Sequence, residues 1–320
     1  MTTRDITFII PHKGREAMLI DTVKSIAAQQ TASDQLEIIV VSQNKDASPS
    51  LYAAAGNIAL SVIHNDESNT ISHSRNLGAR FAKGEFLAFL DADIQLSANW
   101  VEAMKTLLRE NDFALVSAIQ VDSNNAAALE KIRTVLSNAK TDCEVEFLPG
   151  RNLFLRKSTF EKVGGFPEHL ITCEDYYFTQ KVSAIGPLMY SSTATYVHLG
   201  EDKEFIPMFK KEIWRGQSNI ASLKGRKIPF SELPSFFVPI AIVFFWLSAF
   251  ALLLAGLGFA ALISFAVGWL PILVYSARAA RLSRGKVPFR QFVLFYLLYF
   301  PARALGTVAG ITKSVTTTYQ

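Results

Sequence analysis

Residues 69–93 read NTISHSRNLGARFAKGEFLAFLDAD, and the periodicity changes within them. Ser72 to Ala82 carries apolar residues at helical spacing, whereas Glu85 to Leu90 is a short, nearly continuous apolar run of the kind that makes a strand buried on both faces. The run ends directly in Asp91, Ala92 and Asp93. Carboxylates at the C-terminal end of a central strand stand where open α/β sheets bind ligands. Two hard oxygen donors flanking a small residue suit Mg²⁺ or Mn²⁺, which bind through one or two carboxylates together with phosphate oxygens. A bare Asp-x-Asp triplet in a loop would read as solvated surface; its place after an apolar strand changes that.

Working outward, the same alternation recurs. Ile6 to Pro11 reads as a buried strand, Glu16 to Gln29 as a helix, Leu36 to Val41 as a strand, a loop holds Asn44, Asp46 and Pro49, and Ile58 to Ile63 is a strand. Strands alternating with helices imply a parallel sheet. Beyond the Asp91 triplet, a helix is expected from about Ala98 to Arg109 and strands at Phe113 to Val121, Val145 to Leu148 and Asn152 to Arg156, the last after a turn at Pro149 and Gly150. A helix from Glu174 to about Ala184 and a short strand from Thr195 to His198 close an α/β domain over residues 1–200.

The last third differs. From Leu233 to Ala277 there is no Asp, Glu, Lys or Arg, and as a helix this run would extend about 67 Å, twice the roughly 30 Å of a bilayer core. It reads as two spans, about 234–255 and 258–277, with the turn at Ala255 to Gly258. A third apolar segment, about 291–312, contains Pro301 and Arg303 and fits either a kinked span or an interfacial helix. Basic residues (Lys210, Lys211, Arg215, Lys224, Arg226, Lys227) precede the hairpin, and Arg278, Arg281, Arg284, Lys286 and Arg290 follow it. Membrane-flanking positive charge stays cytoplasmic, so both flanks are expected there. The basic, amphipathic residues 201–232 read as a linker on the membrane surface and 233–320 as the membrane region. The net charge of +4 is concentrated beside these spans, where anionic lipid is a simpler partner than nucleic acid. Met1 to Asp5 is polar and the following apolar run is too short for a signal sequence, and Cys143 and Cys173 show no metal-ligand spacing. The expectation is a multi-pass protein of the inner (plasma) membrane whose catalytic domain is cytoplasmic.

The 69–93 stretch resembles the core signature of family 2 glycosyltransferases with the GT-A fold, a Rossmann-type nucleotide-diphospho-sugar transferase domain, and the resemblance extends over roughly residues 5 to 220. It implies that Asp93 holds a metal and that Asp91 contacts the ribose of the nucleotide beside it. Gly150 and Arg151 match the loop that approaches the donor sugar, and Gly164, Gly165 and Phe166 match the glycine pair before the acceptor site. Glu174 and Asp175 match the acidic pair that supplies the catalytic base, with Asp175 the first choice. His198 matches a C-terminal histidine that completes the metal site; as a bare residue it would equally read as a hydrogen-bonded strand histidine. Arg75 lies near the donor in this family, and Arg215 is a candidate for the departing diphosphate. Where the family has acidic base-reading residues this chain has Ser42, Gln43 and Asn44, and its first loop, Pro11 to Arg15, replaces the commoner aromatic version. Pro11, Arg15, Ser42 and Asn44 are therefore candidate nucleotide contacts.

The reading that follows is an inverting transferase that uses Mg²⁺ or Mn²⁺ to move one sugar from a nucleotide-diphosphate donor to a lipid-linked acceptor in cell-surface polysaccharide or glycolipid synthesis. Membrane lipids are partners, a homo-oligomer through membrane helices is an option, and nucleic acid is not a partner. The alternatives are a polyprenyl-phosphate sugar synthase and a non-catalytic nucleotide-binding membrane adaptor.

Overall fold

The structure, a computed structural model, describes residues 4–217, 219 and 230–317. By its internal contacts the chain forms two units: Met1–Ser123 with Lys140–Glu201, and Asn124–Ala139 with Asp202–Gln320.

In the first unit β1 (Ile6–His12), α1 (Glu16–Ala27), β2 (Leu36–Ser42), α2 (Pro49–Ala54), β3 (Ala59–His64), α3 (Ile71–Phe81) and β4 (Phe86–Leu90) follow one another. Next come β5 (Ile94–Leu96), α4 (Trp100–Glu110) and β6 (Leu115–Val121). After α5 (Ala128–Ser137), which belongs to the second unit, the chain returns through β7 (Cys143–Val145), β8 (Asn152–Arg156), α6 (Lys157–Val163), α7 (Glu174–Ser183) and β9 (Leu188–His198). The strands form one sheet in the order β3-β2-β1-β4-β8-β6-β9-β5, with β7 on β9.

The sheet is not wholly parallel, as the alternation of elements implied. It is parallel from β3 to β4 and between β6 and β9, but β8 runs antiparallel to both β4 and β6, and β5 and β7 run antiparallel to β9. Strand direction depends on the path between elements, which periodicity does not encode. The loop around Pro49 contains α2, begun by that proline, whose fixed φ suits a first helical turn. The strand expected at Val145 to Leu148 instead covers Cys143–Val145, and β9 starts at Leu188 rather than Thr195 because it also pairs with β6 and β7.

The apolar runs are continuous because each central strand feeds two cores. Phe8, Ile10, Phe86, Ala88 and Leu90 pack with α1 and α4 through Leu19, Trp100 and Met104. Ile9, Leu87 and Phe89 pack on the other face with Phe160, Phe166 and Phe178. Burying each such large side chain stabilises the fold by about 1.5–3 kcal/mol.

The second unit contains α5, α8 (Phe205–Gly216), α9 (Leu233–Leu254), α10 (Gly258–Ser283) and α11 (Phe289–Thr317). Three of its helical stretches, Leu233–Leu254, Gly258–Ser283 and Phe289–Ile311, are long and apolar enough to cross a membrane. Gly256 makes the reversal between the first two at φ +77°, a conformation costly for other residues. The third continues through Pro301 as one helix and is more buried by the protein than the other two. Its neighbour is α8: a Cβ on Gly306 would strike Ile213 O, and one on Gly216 would lie 2.9 Å from Gly306 Cα. Small residues permit such approach between helices, and here α8 occupies this glycine face of α11.

Arg303, within the apolar α11, donates to Asn219 Oδ1 at 3.0 Å and lies 3.8 Å from Glu212 on α8. Glu212 also receives Arg133 of α5 and Arg215, both at 2.6 Å. Burial alone would push the Glu212 carboxyl up, but the three arginines hold it below its ordinary value. This network fixes Arg215, expected to serve the diphosphate, against Glu212 and Asp202.

Candidate active site

The backbone around Asp91 and Asp93 is pinned on both sides. Asp91 N–H donates to Arg151 O at 3.1 Å, and Leu199 N–H donates to Asp93 O at 2.8 Å. The pairing of Ile94 with His198 carries the histidine to the triplet, so that His198 Nε2 lies 3.3 Å from Asp93 Oδ1. On its other side His198 Nδ1 is 3.0 Å from Glu201 Oε2. Burial opposes a charged imidazole, yet hydrogen bonds with Asp93 and Glu201 raise the His198 pKa above its ordinary value. Glu201 also meets Arg151 at 3.3 Å, and Arg151 donates to Gln120. Its surroundings of Glu201 and Tyr196 raise the Arg151 pKa against the effect of burial.

Among the described residues no group of three His, Cys, Asp or Glu side chains converges as a metal cage. Asp93 and His198 nevertheless offer one oxygen and one nitrogen donor, a set suited to Mn²⁺ or Mg²⁺ when phosphate oxygens complete the shell. Space is kept there by Gly200, whose absent Cβ would collide with Asp93 Oδ2. The residues fit a divalent cation. Asp91, expected as a further ligand, points its Oδ1 at Arg75 Nη2, 2.9 Å away.

Arg75, expected near the donor, meets two carboxylates of the protein. Its side chain is 1% exposed, donates to Glu174 Oε1 at 2.9 Å and to Gly150 O at 3.2 Å, and lies over the Phe166 ring at 5.0 Å. Asp175 accepts from Gly150 N–H at 3.1 Å and from Tyr176 N–H at 2.8 Å. Both acids stand at the start of α7, where the helix dipole favours negative charge. Cys173 just before them has φ +65°, a backbone conformation that costs a non-glycine residue of order 1–3 kcal/mol and that gathers at functional sites. Glu174 is pushed up to about 7, first by burial and then by Asp175, with Arg75 opposing. Burial likewise raises Asp91.

The first loop forms the other wall. Asn44, expected to touch the nucleotide, spends its amide on the loop backbone: Gly14 N–H donates to its Oδ1 at 2.8 Å and its Nδ2 donates to Gly14 O at 2.9 Å. It therefore shapes the loop. Ser42 Oγ accepts from Asn44 N–H and lies 3.1 Å from His12 Nδ1. Pro11 is an internal residue of β1, opposite Val41. Arg15 leaves this loop and reaches Asp93 Oδ2 at 3.4 Å, so it joins the two walls. Glu201 and Gln120 were absent from the sequence expectations. The only signal for Glu201 was its place three residues after His198; Gln120 had none.

This fold is the GT-A fold shared with solved glycosyltransferase structures. The mannosyltransferase PcManGT from Pyrobaculum calidifontis, solved with GDP-Man and Mn²⁺, superposes with a TM-score of 0.62 at 19% identity over 96% of this chain and 88% of its own. More narrowly, residues 7–164 match the model of Glycosyl transferase family 2, which assigns this part of the chain to that family. Among curated relatives, glycosyltransferase AglE of Haloferax volcanii is 24% identical over 67% of this chain and 73% of its own length. The O-antigen chain rhamnosyltransferase RfbN of Salmonella typhimurium is 28% identical over 57% of this chain and 62% of its own.

Proposed function

We propose that the chain is an inverting, metal-dependent glycosyltransferase that moves one sugar from a nucleoside-diphosphate donor to a lipid-linked acceptor at the cytoplasmic face of a membrane. The observation that carries this reading is the meeting of two acidic pairs, Asp91 with Asp93 and Glu174 with Asp175, through one buried arginine. The nucleotide sugar and Mn²⁺ named for the Pyrobaculum structure support it.

Asp93 and His198 are the residues that would hold the cation, with Glu201 orienting the imidazole. When bound, the cation supplies neutralisation of the charge that develops on the leaving diphosphate. Arg15, beside Asp93, adds positive charge at the same place. Asp175 takes the proton of the acceptor hydroxyl as its oxygen forms a bond to the anomeric carbon, while the bond from that carbon to the β-phosphate oxygen breaks. One displacement inverts the configuration and leaves no sugar on the enzyme. Asp175 is favoured over Glu174 because Glu174 is committed to Arg75. The lipid-linked acceptor is supported by the three apolar helices carried on the same chain.

The test offers the purified chain, with membrane lipid extract, a panel of radiolabelled nucleotide sugars. Label entering the lipid fraction from one donor, lost on EDTA treatment and restored by Mn²⁺, is the expected result. Full transfer in EDTA overturns the metal role, and no transfer from any donor overturns the reading. Release of label by mild acid would indicate a sugar joined directly to lipid phosphate.

A further inference from the structure

We propose that Arg75 is a positioning residue that couples the donor half of the site to the acceptor half: one guanidinium holds Asp91 and Glu174 at once and leaves Asp175 as the member of the acidic pair that accepts a proton. The inference rests on the transfer reading above and adds to it the device that distinguishes two adjacent carboxylates.

The geometry is that of a fork. Arg75 Nη1 donates to Glu174 Oε1 and Nη2 to Asp91 Oδ1, each at 2.9 Å, so the two teeth reach side chains from α7 and from the end of β4. Nη2 also donates to Gly150 O, while Gly150 N–H donates to Asp175. The peptide at Gly150 thus links the arginine to the proposed base. Below the fork, the Phe166 backbone is held by Asn76, the residue next to Arg75, which donates to Phe166 O and accepts from Phe166 N–H, both at 2.9 Å. Arg75 is buried among these partners, and a planar guanidinium is the side chain whose geometry spans two separate carboxylates.

The charged groups facing Glu174 are Arg75 from α3, Asp175 on its own helix and, across the guanidinium, Asp91 from β4. Burial and the crowding of carboxylates favour a proton on Glu174, and the buried guanidinium opposes it; without Arg75 that proton is held to higher pH. The Glu174 pKa of about 7 is already opposed by Arg75, so loss of the arginine moves it upward. A proton kept on the pair near neutral pH competes with the acceptor's own.

Full-length chain carrying Arg75→Met, Arg75→Lys, or Arg75→Met with Glu174→Gln tests this by following label transfer across pH at saturating substrates. Arg75→Met is expected to lower neutral turnover at least about tenfold and to move the acid limb of the turnover profile up by about one pH unit, since a contacting opposite charge shifts a carboxyl by roughly 1–3 units. Arg75→Lys restores part of the turnover because an ammonium cannot span both acids. Adding Glu174→Gln to Arg75→Met returns the limb toward its wild-type place. An unmoved limb with a uniform fall in turnover, or full rescue by lysine, overturns the proposal. The second readout is independent of transfer: in chain labelled with ¹³C at the glutamate carboxyls, the signal lost in Glu174→Gln should titrate about one unit higher in Arg75→Met. An unchanged midpoint overturns the proposal even in an inactive protein, and Arg75→Lys carries the same measurement, with a smaller shift, should the methionine variant not fold. Failure of the transfer reading shows separately, as a wild-type chain that moves no sugar while the Glu174 midpoint still responds.

Discussion

Asp175 and Glu174 are neighbours in sequence with different surroundings. Asp175 is aimed by two backbone N–H groups, whereas Glu174 is bound to a cation. Asp175→Asn keeps the size of the side chain and removes its basicity, so turnover should fall by at least about a hundredfold with nucleotide affinity within a few-fold of wild type, measured by saturation kinetics and nucleotide titration. Glu174→Gln should be milder. If both variants transfer at the wild-type rate, the acidic pair is structural. Around the metal pair, Glu201 orients His198 from outside, and removing such a partner typically costs 10–100-fold in metal affinity. Glu201→Gln should therefore raise the Mn²⁺ concentration for half-maximal transfer by at least about tenfold, while Asp93→Ala abolishes transfer. An unaltered Mn²⁺ curve in Glu201→Gln would mean that Glu201 serves Arg151 alone.

Among the elements, α3 does the most to place the site, because it carries Arg75 on the face that lies against the sheet. Thr70 caps it, accepting from His73 N–H at 3.2 Å. Gly78 sets its distance from the strands: a Cβ there would stand 2.5 Å from Ile9 Cγ2 and 3.2 Å from Val41 Cγ2. Gly78→Val should cost about 1–3 kcal/mol by overpacking and should lower turnover as well, since it lifts the helix that holds the arginine. Thermal unfolding and transfer assays on the same preparation check both; a variant as stable as wild type would show that the strands yield. In the second unit, α8 packs on α11 through Gly216 and Gly306 and is tied to it by Glu212 and Arg303.

At the scale of the whole molecule, the question is how the chain meets the membrane. Basic residues flank the hairpin of α9 and α10 on both sides, and the positive-inside tendency predicts that both flanks are cytoplasmic. A reporter fused after Arg290 should behave as cytoplasmic and one inserted at Gly256 as external. The reverse pattern would overturn this topology. Arg303 within α11 is the costliest residue to place in lipid, and its pairing with Glu212 and Asn219 keeps its charge on the protein side of that helix.

Sequence by itself determined β1 to β4 with α1 and α3, though neither α2 nor the short β5, the acidic strand end at Asp91 and Asp93, the acidic pair at Glu174 and Asp175, and the apolar helices. These are local properties: period, run length and a few residues in a row specify them. Tertiary structure alone decided the antiparallel entry of β8 and the departure of α5 into the second unit, because both depend on where the chain returns after a long excursion. It also decided the roles of particular polar residues. Arg75, read as lying near the donor, is buried between two carboxylates; Asn44, read as a nucleotide contact, bonds to Gly14; Arg215, read as a diphosphate partner, pairs with Glu212. A polar side chain takes its role from the groups that meet it in space, and those groups come from distant parts of the chain.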